Sequence, residues 1–389
     1  YYRLKERNIP HVKIADANEI KVWYNFAEKI GQGGFGVVLA VTEKSTSKKW
    51  AMKIVTKATV DERSMQMVQR EIQILKLIQH PHIIYLDKVY ETPKKIYMII
   101  ERCYGVLAKI YNERKPFIEK IAKKIIKQLA EAVAYLHKHD IVHRDLKMEN
   151  ILMGENPSDP TDEYYIKLTD FGLSIVKYGK GVDSMLHDYC GTLFYMAPEI
   201  IDYRSYSQQC DMWAVGVILY MLVAGKYPFY STNEKELQQQ IRSSDPDFSN
   251  MQLSVEITDL ILLLMTKDPA NRVTAAEMLN HPWLQNKKLS KAIQSNILKM
   301  MKDWKSEMKM PAGQESDWVA AQNDITENKA GKQQMNLPKT NINFDRSKKP
   351  SDTSRENDND VKRFPPSKPQ VKHVPQAAPR RQSGAVTKR

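Results

Sequence analysis

Apolar residues recur with two different periods along the chain, and the change of period separates a strand-rich region from a helical one. Before residue 100, apolar and β-branched runs bounded by polar turns predict strands at 37–41, 50–55 and 96–100. Between the last two strands, Val68, Ile72 and Leu75 have the spacing of one helix face. After about residue 117, longer patterns predict helices at 118–137, 210–224 and 255–265.

This order of elements predicts an α+β fold with two lobes. We expect an N-terminal extension at 1–23, a small β-rich N-lobe at 24–100, a hinge at 101–106 and a larger helical C-lobe at 107–284. Residues 285–310 are predicted to form a basic amphipathic helix, with apolar residues at steps of three or four: Leu289, Ile293, Ile297, Met301, Trp304 and Met308. The composition of residues 311–389, rich in Pro, Ser, Asn, Gln and Lys, predicts a disordered basic tail.

The formal net charge of +13 is concentrated near the C-terminus. Residues 1–284 carry a net charge of +2, residues 285–310 one of +5 and residues 311–389 one of +6. A basic globular body is therefore excluded, and with it the reason to expect that the folded part binds nucleic acid. Only the basic tail could bind RNA or another polyanion, by charge alone.

The cysteine count bears on the compartment. Cys103, Cys190 and Cys210 include no C-x-x-C pair, so we expect no disulfide framework, no structural zinc and a reducing, cytoplasmic location. The longest nearly unbroken apolar run, 213–225, is shorter than the ~20 residues of a membrane-spanning helix, and we expect no membrane segment. The first residues include neither Met nor a signal-peptide core, which suggests a fragment.

Gly31, Gly33 and Gly36 form a G-x-G-x-x-G loop. A dinucleotide-binding fold uses the same spacing but continues as a helix, whereas a strand is predicted from Val37. A glycine-rich turn between two strands can place backbone N–H groups against phosphates, because no side chain intervenes. Taken alone, the motif is equally compatible with an ordinary hairpin.

Lys53 stands in a predicted apolar strand, where a charge is costly unless it is paired. Glu71, on the predicted helix, is the candidate partner. The two residues form either part of a phosphate-binding site or a purely structural ion pair.

Two further motifs point to phosphoryl transfer. The runs 143–150 (HRDLKMEN) and 170–172 (DFG) match the catalytic-loop and metal-binding signatures of kinases. The reaction needs an acceptor hydroxyl held in line, which Asp145 can do, and neutralised phosphate charge, to which Lys147 can contribute. Asn150 and Asp170 supply the hard oxygen ligands that Mg²⁺ prefers.

With these motifs, residues 24–284 resemble a eukaryotic protein kinase. Ala197-Pro198-Glu199 resembles the end of an activation segment, and Arg272 resembles the arginine that pairs with its glutamate. Asp211-Met212-Trp213 is similar to the start of the buried helix of the large lobe. Lys147, with Gly191-Thr192 before Tyr195, resembles serine/threonine kinases, and the chain is most similar to the calcium/calmodulin-dependent kinase group.

The resemblance implies a bilobal kinase fold and an ATP-dependent enzyme that phosphorylates Ser or Thr of protein substrates with Mg²⁺ as cofactor. It implies catalytic roles for Lys53, Glu71, Asp145 and Lys147, and magnesium ligation by Asn150 and Asp170. The residues that it places around the nucleotide are Ile30, Gly31, Gly33, Gly36, Val38, Ala51, Lys53, Glu101, Cys103 and Leu152.

Two positions leave the substrate open. Val106 stands where the family often has a Glu that contacts the ribose or a basic substrate residue. Glu149, in contrast, matches a position that favours basic substrates. The sequence is therefore compatible both with a preference for basic substrates and with no such preference. The alternative to an active enzyme is a scaffold pseudokinase with weak nucleotide binding.

Regulation is expected in the activation segment. Asp188 occupies the position of a phosphorylated Thr in related kinases, and our hypothesis is that it partly replaces that phosphate as a partner of Arg144. The alternative is an exposed loop carboxylate. Ser184 and Thr192 are candidate phosphosites, although Thr192 more often serves substrate binding in this family.

The basic helix at 285–310 is a second candidate for regulation. Its Met, Trp and Leu residues alternate with lysines as they do in calmodulin targets. The alternative is that the helix packs on its own domain.

Overall fold

The computed structural model describes residues 4–33, 35–177, 191–204, 206–249 and 251–307, the last seven by their backbone alone. Ser184, Asp188 and the predicted tail at 311–389 lie outside these residues. Within them the strands are β1 (His11–Lys13), β2 (Tyr24–Gly33), β3 (Gly36–Glu43), β4 (Lys49–Thr56), β5 (Leu86–Glu91), β6 (Lys95–Glu101), β7 (Gly105–Val106), β8 (Ile141–Val142), β9 (Ile151–Met153), β10 (Ile166–Leu168) and β11 (Ile175–Val176). The helices are α1 (Asn18–Trp23), α2 (Glu62–Leu77), α3 (Leu107–Arg114), α4 (Glu119–Lys138), α5 (Pro198–Ile201), α6 (Gln209–Ala224), α7 (Glu234–Ser243), α8 (Val255–Leu264), α9 (Ala275–Leu279) and α10 (Lys291–Glu307).

The small lobe is built on a six-stranded sheet with the order β1-β5-β6-β4-β3-β2. Its neighbouring strands are antiparallel, except that β1 runs parallel to β5. Since β4 lies between β3 and β6, Lys53 in the middle of β4 is opposite Val38 on one side and Met98 on the other. The sheet therefore holds Lys53 next to the glycine-containing β2–β3 hairpin.

Helix α2 joins this sheet through its apolar face. Val68, Ile72 and Leu75 are buried, as their spacing predicts. The helix begins where the Asp61 carboxylate accepts a hydrogen bond from the Ser64 N–H at 2.7 Å, which satisfies one of the free donors of the first turn.

The large lobe is organised around α6, which is buried along nearly all of its length. Helix α6 packs against α4 and α8, and α4 also packs against α9. Gly225 ends α6 with a φ of 72°, in the left-handed region that favours glycine. A three-stranded sheet (β10-β9-β7) and the β8–β11 pair flank residues 143–150, which carry the catalytic-loop motif. The predicted α+β fold, β-rich first and helical afterwards, is confirmed.

The segment before residue 24, predicted as an extension, contributes β1 and α1 to the small lobe. Ile14 and Ile20 are buried in an apolar cluster that also contains Trp50 and Tyr97. This part of the chain therefore shares the core of the lobe.

Helix α10 packs on α8, which agrees with the second of the two interpretations of its sequence. Leu289 and Ile297 are buried, but Leu289 precedes the helix and Ile293 is 41% exposed. The side chains of Met301, Trp304 and Met308 lie outside the described residues, so burial of the predicted apolar stripe is described only for Leu289, Ile293 and Ile297. Among the helices that the structure describes, none is long and apolar enough to cross a membrane.

Candidate active site

The glycine-rich motif lies in the β2–β3 hairpin, and β3 begins at Gly36, as the predicted strand–turn–strand arrangement requires. A Cβ atom at Gly36 would lie 1.9 Å from the Ile54 carbonyl oxygen, so the close approach of β3 to β4 permits only glycine there. At Gly31 and Gly33 the nearest atoms would lie at 3.6 and 3.8 Å, an ordinary contact distance. Protein packing therefore explains one of these three glycines and leaves the backbone of the other two open to a ligand.

Lys53 and Glu71 form the predicted ion pair, with 2.6 Å between Nζ and Oε2. Their side chains are 13% and 4% exposed, so the pair is formed almost without water. Burial opposes the charge of Lys53, but the carboxylates of Glu71 and Asp170 outweigh it and raise the pKa of Lys53 above its ordinary value. Asp170 is therefore close enough to act on the lysine, and the lysine is protonated at neutral pH.

The Asp145 carboxylate is held by three side chains. Its Oδ2 accepts hydrogen bonds from Lys147 Nζ at 2.7 Å and from Asn150 Nδ2 at 3.0 Å. Its Oδ1 accepts one from the Thr192 hydroxyl at 3.4 Å, and Lys147 Nζ also donates to that hydroxyl at 3.2 Å. Thr192, predicted as a phosphosite or a substrate-binding residue, thus stands beside the predicted catalytic carboxylate.

The backbone before Asp145 is fixed by a carboxylate inside the large lobe. Asp211, in the first turn of α6, accepts the N–H groups of His143 and Arg144 at 2.9 Å each and the His137 ring at 2.8 Å. Burial raises the pKa of this carboxyl, but the hydrogen bonds and charges of the histidines lower it below its usual value overall. Arg144 adopts a φ of 67°, a conformation that this anchoring stabilises.

The Asp-Phe-Gly motif is held against the same loop. Phe171 is fully buried and packs edge-on to His143, with 5.0 Å between ring centroids. His143 in turn hydrogen-bonds the Thr169 carbonyl oxygen through Nε2 at 3.1 Å. Asp170, which precedes Phe171, has a φ of 66°. These contacts set the position of the Asp170 carboxylate relative to the catalytic loop.

The donor set fits a magnesium ion that is shared with a phosphate ligand. Asn150 Nδ2 also donates to the Asp145 carbonyl oxygen at 2.8 Å, so its amide oxygen is the atom that can bind a cation. Asp170 offers a carboxylate, and Mg²⁺ is commonly bound by one or two protein oxygens together with substrate phosphates. Within the described residues, no group of three His, Cys, Asp or Glu side chains could hold a metal by itself.

The predicted nucleotide-binding residues lie on strands of both lobes around the hinge, except Cys103, which lies in the hinge between β6 and β7. Ile30, Val38 and Ala51 belong to β2, β3 and β4, and Leu152 belongs to β9, where it is opposite Val106 of β7. At the hinge, the Glu101 carboxylate forms an ion pair with Lys167 at 2.8 Å. Burial raises the pKa of the Cys103 thiol to about 12, so this cysteine is protonated and unreactive at neutral pH.

The predicted regulatory residues are only partly described. Arg144 donates from Nε to the Leu173 carbonyl oxygen at 2.5 Å and from Nη1 to the Tyr206 hydroxyl at 3.3 Å. Because Asp188 and Ser184 lie outside the described residues, the hypothesis that Asp188 replaces a phosphate stays a prediction.

Glu199, at the start of α5, forms a buried pair with Arg272, with 2.7 and 2.9 Å between the guanidinium nitrogens and the carboxylate oxygens. This double contact ties the end of the activation segment to the large lobe. It is the pair that the resemblance implies.

Residues 24–284 match the family model of the protein kinase domain. The chain belongs to the protein kinase family. It is 42% identical over 304 residues to serine/threonine-protein kinase 33 of Mus musculus, covering 77% of this chain and 62% of the mouse protein. It is 39% identical over 339 residues to serine/threonine-protein kinase 33 of Bos taurus, covering 86% of this chain and 70% of the bovine protein. A probable myosin light chain kinase of Dictyostelium discoideum is 38% identical over 295 residues, which are 74% of this chain and 88% of that protein.

These matches confirm the predicted enzyme class, a protein serine/threonine kinase. Sequence reasoning missed how this kinase supports its catalytic loop, since Asp211 was interpreted only as the start of a buried helix. The sequence did contain an indication of this role, since Asp211 stands directly before a long apolar run. A buried carboxylate is costly unless it accepts several hydrogen bonds.

Proposed function

We propose that the chain transfers the γ-phosphoryl group of ATP to Ser or Thr hydroxyls of protein substrates. The observation that carries the proposal is the Asp145 carboxylate, held by Lys147 and Asn150 within hydrogen-bond distance of the Thr192 hydroxyl. A carboxylate in this setting can accept the hydrogen bond of a substrate hydroxyl, orient its oxygen for in-line attack and take its proton.

The neighbouring groups supply positive charge and backbone donors for the phosphates of ATP. Lys53, protonated and fixed by Glu71, binds the α- and β-phosphates, and the N–H groups near Gly31 and Gly33 cover them. Lys147 stabilises negative charge that develops on the transferred group. Asn150 and Asp170 would hold Mg²⁺, which when bound neutralises phosphate charge.

The decisive experiment compares Asp145→Asn with wild type. The substitution keeps the size of the side chain but removes the proton acceptor, so we expect kcat to fall about 10²- to 10⁴-fold. Asp245→Asn removes an exposed carboxylate outside the site and serves as the control for the charge change. Phosphate incorporation into a generic basic protein, with Mg²⁺ and ATP, measures the outcome; wild-type rates in Asp145→Asn would overturn the assignment.

A scaffold pseudokinase is the competing proposal, and Val106 is the residue that supports it. An apolar side chain at that position, opposite Leu152, offers no hydrogen bond to a nucleotide. The two proposals differ in two measurements on the wild-type chain. An active kinase shows both a thermal shift with Mg-ATP and phosphate incorporation, whereas a pseudokinase shows no incorporation.

We further propose a preference for basic substrates, with Glu149 as the recognising group. Glu149 is exposed at the catalytic loop. Burial and, to a smaller extent, the Glu149 carboxylate raise the pKa of Tyr227 to about 12. Glu149→Gln should raise KM for a peptide with Arg before the acceptor and leave KM for a peptide without Arg unchanged; equal effects on both would contradict the proposal.

Calmodulin remains a proposed partner. The support is the set of apolar side chains that α10 leaves exposed, Ile293, Leu298 and Met300. We expect tryptophan fluorescence to change when calmodulin is added in the presence of calcium, and we expect Trp304→Phe to abolish the change. No change in the wild-type chain would contradict calmodulin binding.

A cytoplasmic location, inferred from the few cysteines, is likewise a proposal.

A further inference from the structure

An arginine from the N-terminal segment caps the helix that carries Glu71. The Arg7 side chain donates from Nη2 to the Leu75 carbonyl oxygen at 2.6 Å, and its backbone N–H donates to the Lys76 carbonyl oxygen at 2.8 Å. Both acceptors lie in the last turn of α2, where carbonyl groups have no partner within the helix. The guanidinium also places a positive charge at the negative end of the helix dipole.

The same arginine reaches the neighbouring strand. Its Nη2 lies 3.4 Å from the Leu86 carbonyl oxygen at the start of β5, and its guanidinium carbon lies 4.8 Å from the centre of the Tyr85 ring. Arg7 thus joins the end of α2 to the beginning of β5, across the loop that connects them.

The residues after Arg7 hold it in this place. Ile9 is buried in the apolar cluster that includes Val68, Ile72 and Leu75 of α2. The Pro10 carbonyl oxygen accepts the Val89 N–H, and the Ile14 N–H donates to the Glu91 carbonyl oxygen, both at 2.9 Å. The segment is therefore fixed along the whole length of β5 as well as at α2.

We propose that residues 4–14 act as a strap on helix α2, with Arg7 as a positioning residue for phosphoryl transfer. Leu75 lies one helical turn after Glu71, so a fixed last turn keeps the Glu71 carboxylate against Lys53. Arg7 acts through Glu71 and Lys53 and contacts no substrate. This inference rests on the proposed kinase function of the same site.

The first test measures kcat and KM of Arg7→Ala, Arg7→Lys and wild type. Loss of the charged hydrogen bonds should lower kcat about tenfold, with KM for the peptide substrate nearly unchanged. Lysine keeps a charge and a donor, so Arg7→Lys should recover most of the loss. Lys5→Ala, which removes an exposed charge two residues away, should match wild type. A kcat of Arg7→Ala within twofold of wild type would overturn the proposal.

The second test separates a local effect from general unfolding. In Arg7→Ala, backbone amides of 72–77 should exchange with deuterium faster than in wild type, while those of the buried helix α6 should not change. Equal acceleration in both helices, or none in α2, would contradict the strap. Hydrogen exchange can be measured in an inactive protein. If the wild-type chain transferred no phosphate, the proposed function would be refuted, and the exchange rates of α2 would still show whether Arg7 fixes the helix.

Discussion

The glycines of the β2–β3 hairpin differ in what requires them. Gly36 faces the backbone of β4, where a single methyl group would overlap the Ile54 carbonyl oxygen. A Cβ atom added at Gly31 would lie 3.6 Å from its nearest neighbour, a Val38 side-chain atom, so the protein itself would tolerate a methyl group there. The packing of the sheet therefore requires glycine at position 36. At position 31 it does not, and ligand binding is the remaining reason for a glycine there.

This difference predicts that Gly36→Ala lowers stability, whereas Gly31→Ala weakens ATP binding. Gly36→Ala must displace strand β3 or β4, and we expect it to lower the free energy of unfolding by about 1–3 kcal/mol. Gly31→Ala should change that free energy by less than about 0.5 kcal/mol but raise KM for ATP. Urea unfolding of the two variants and of wild type measures the first effect; equal stability of both variants would contradict the steric argument.

A second residue-scale prediction concerns Asp211. In Asp211→Asn, an N–H₂ group would face donors that now meet a carboxylate oxygen, and leaving a buried donor unpaired costs about 1–3 kcal/mol. Because asparagine keeps only one acceptor oxygen, the N–H group of either His143 or Arg144 loses its acceptor, and kcat should also fall about tenfold or more. The exposed Asp245→Asn is the control for both measurements. Wild-type kcat in Asp211→Asn would show that the loop does not depend on this anchor.

At the scale of elements, periodicity predicted those segments whose burial follows one simple pattern. The strands around Lys53 and the face formed by Val68, Ile72 and Leu75 were predictable because one side of each meets the core. The charge of Lys53 within an apolar strand also indicated that it needs an acidic partner, and Glu71 on the predicted helix was the candidate. Helix α10 packs on α8, but Ile293 remains exposed although it belongs to the predicted apolar stripe, because periodicity does not say how much of a stripe a neighbouring helix covers.

The packing of α10 can be tested with two matched substitutions. Ile297 is 6% exposed and Ile293 is 41% exposed, four residues apart on one helix. Ile297→Asp places a carboxylate in an apolar contact and should lower the free energy of unfolding by about 1–3 kcal/mol. Ile293→Asp should change it by less than about 0.5 kcal/mol. Chemical unfolding measures both, and a larger effect at position 293 would mean that the helix docks by another face.

At the scale of the whole molecule, sequence reasoning placed the two lobes but not the part that the N-terminal segment plays in them. The three residues of β1 are exposed and too short to show an alternating pattern. Arg7 makes its contacts with residues almost seventy or more positions away, at α2 and β5. Neither local periodicity nor a short motif carries information about such contacts, whereas the catalytic motifs are local and were recognisable.

His80, in the loop after α2, contacts helix α4 of the large lobe, and we expect its contribution to stability to depend on pH. The His80 ring lies 5.1 Å from the Tyr135 ring, and its Nδ1 accepts the His82 N–H at 3.1 Å. Burial, with smaller effects of His82 and Lys167, lowers the pKa of His80 to about 4. Protonation would also remove the lone pair to which the His82 N–H donates.

Because the folded state holds His80 neutral down to about pH 4, the unfolded state binds more protons between pH 6.5 and 4. The stability that the neutral ring contributes is complete above pH 6.5 and is lost as the pH falls. Since the ring is partly exposed, we expect wild type to lose about 1 kcal/mol more than His80→Asn between pH 7 and pH 5. Asparagine keeps an acceptor for the His82 N–H but does not titrate. Urea unfolding at the two pH values tests this, and equal losses in both proteins would show that His80 is not the group responsible.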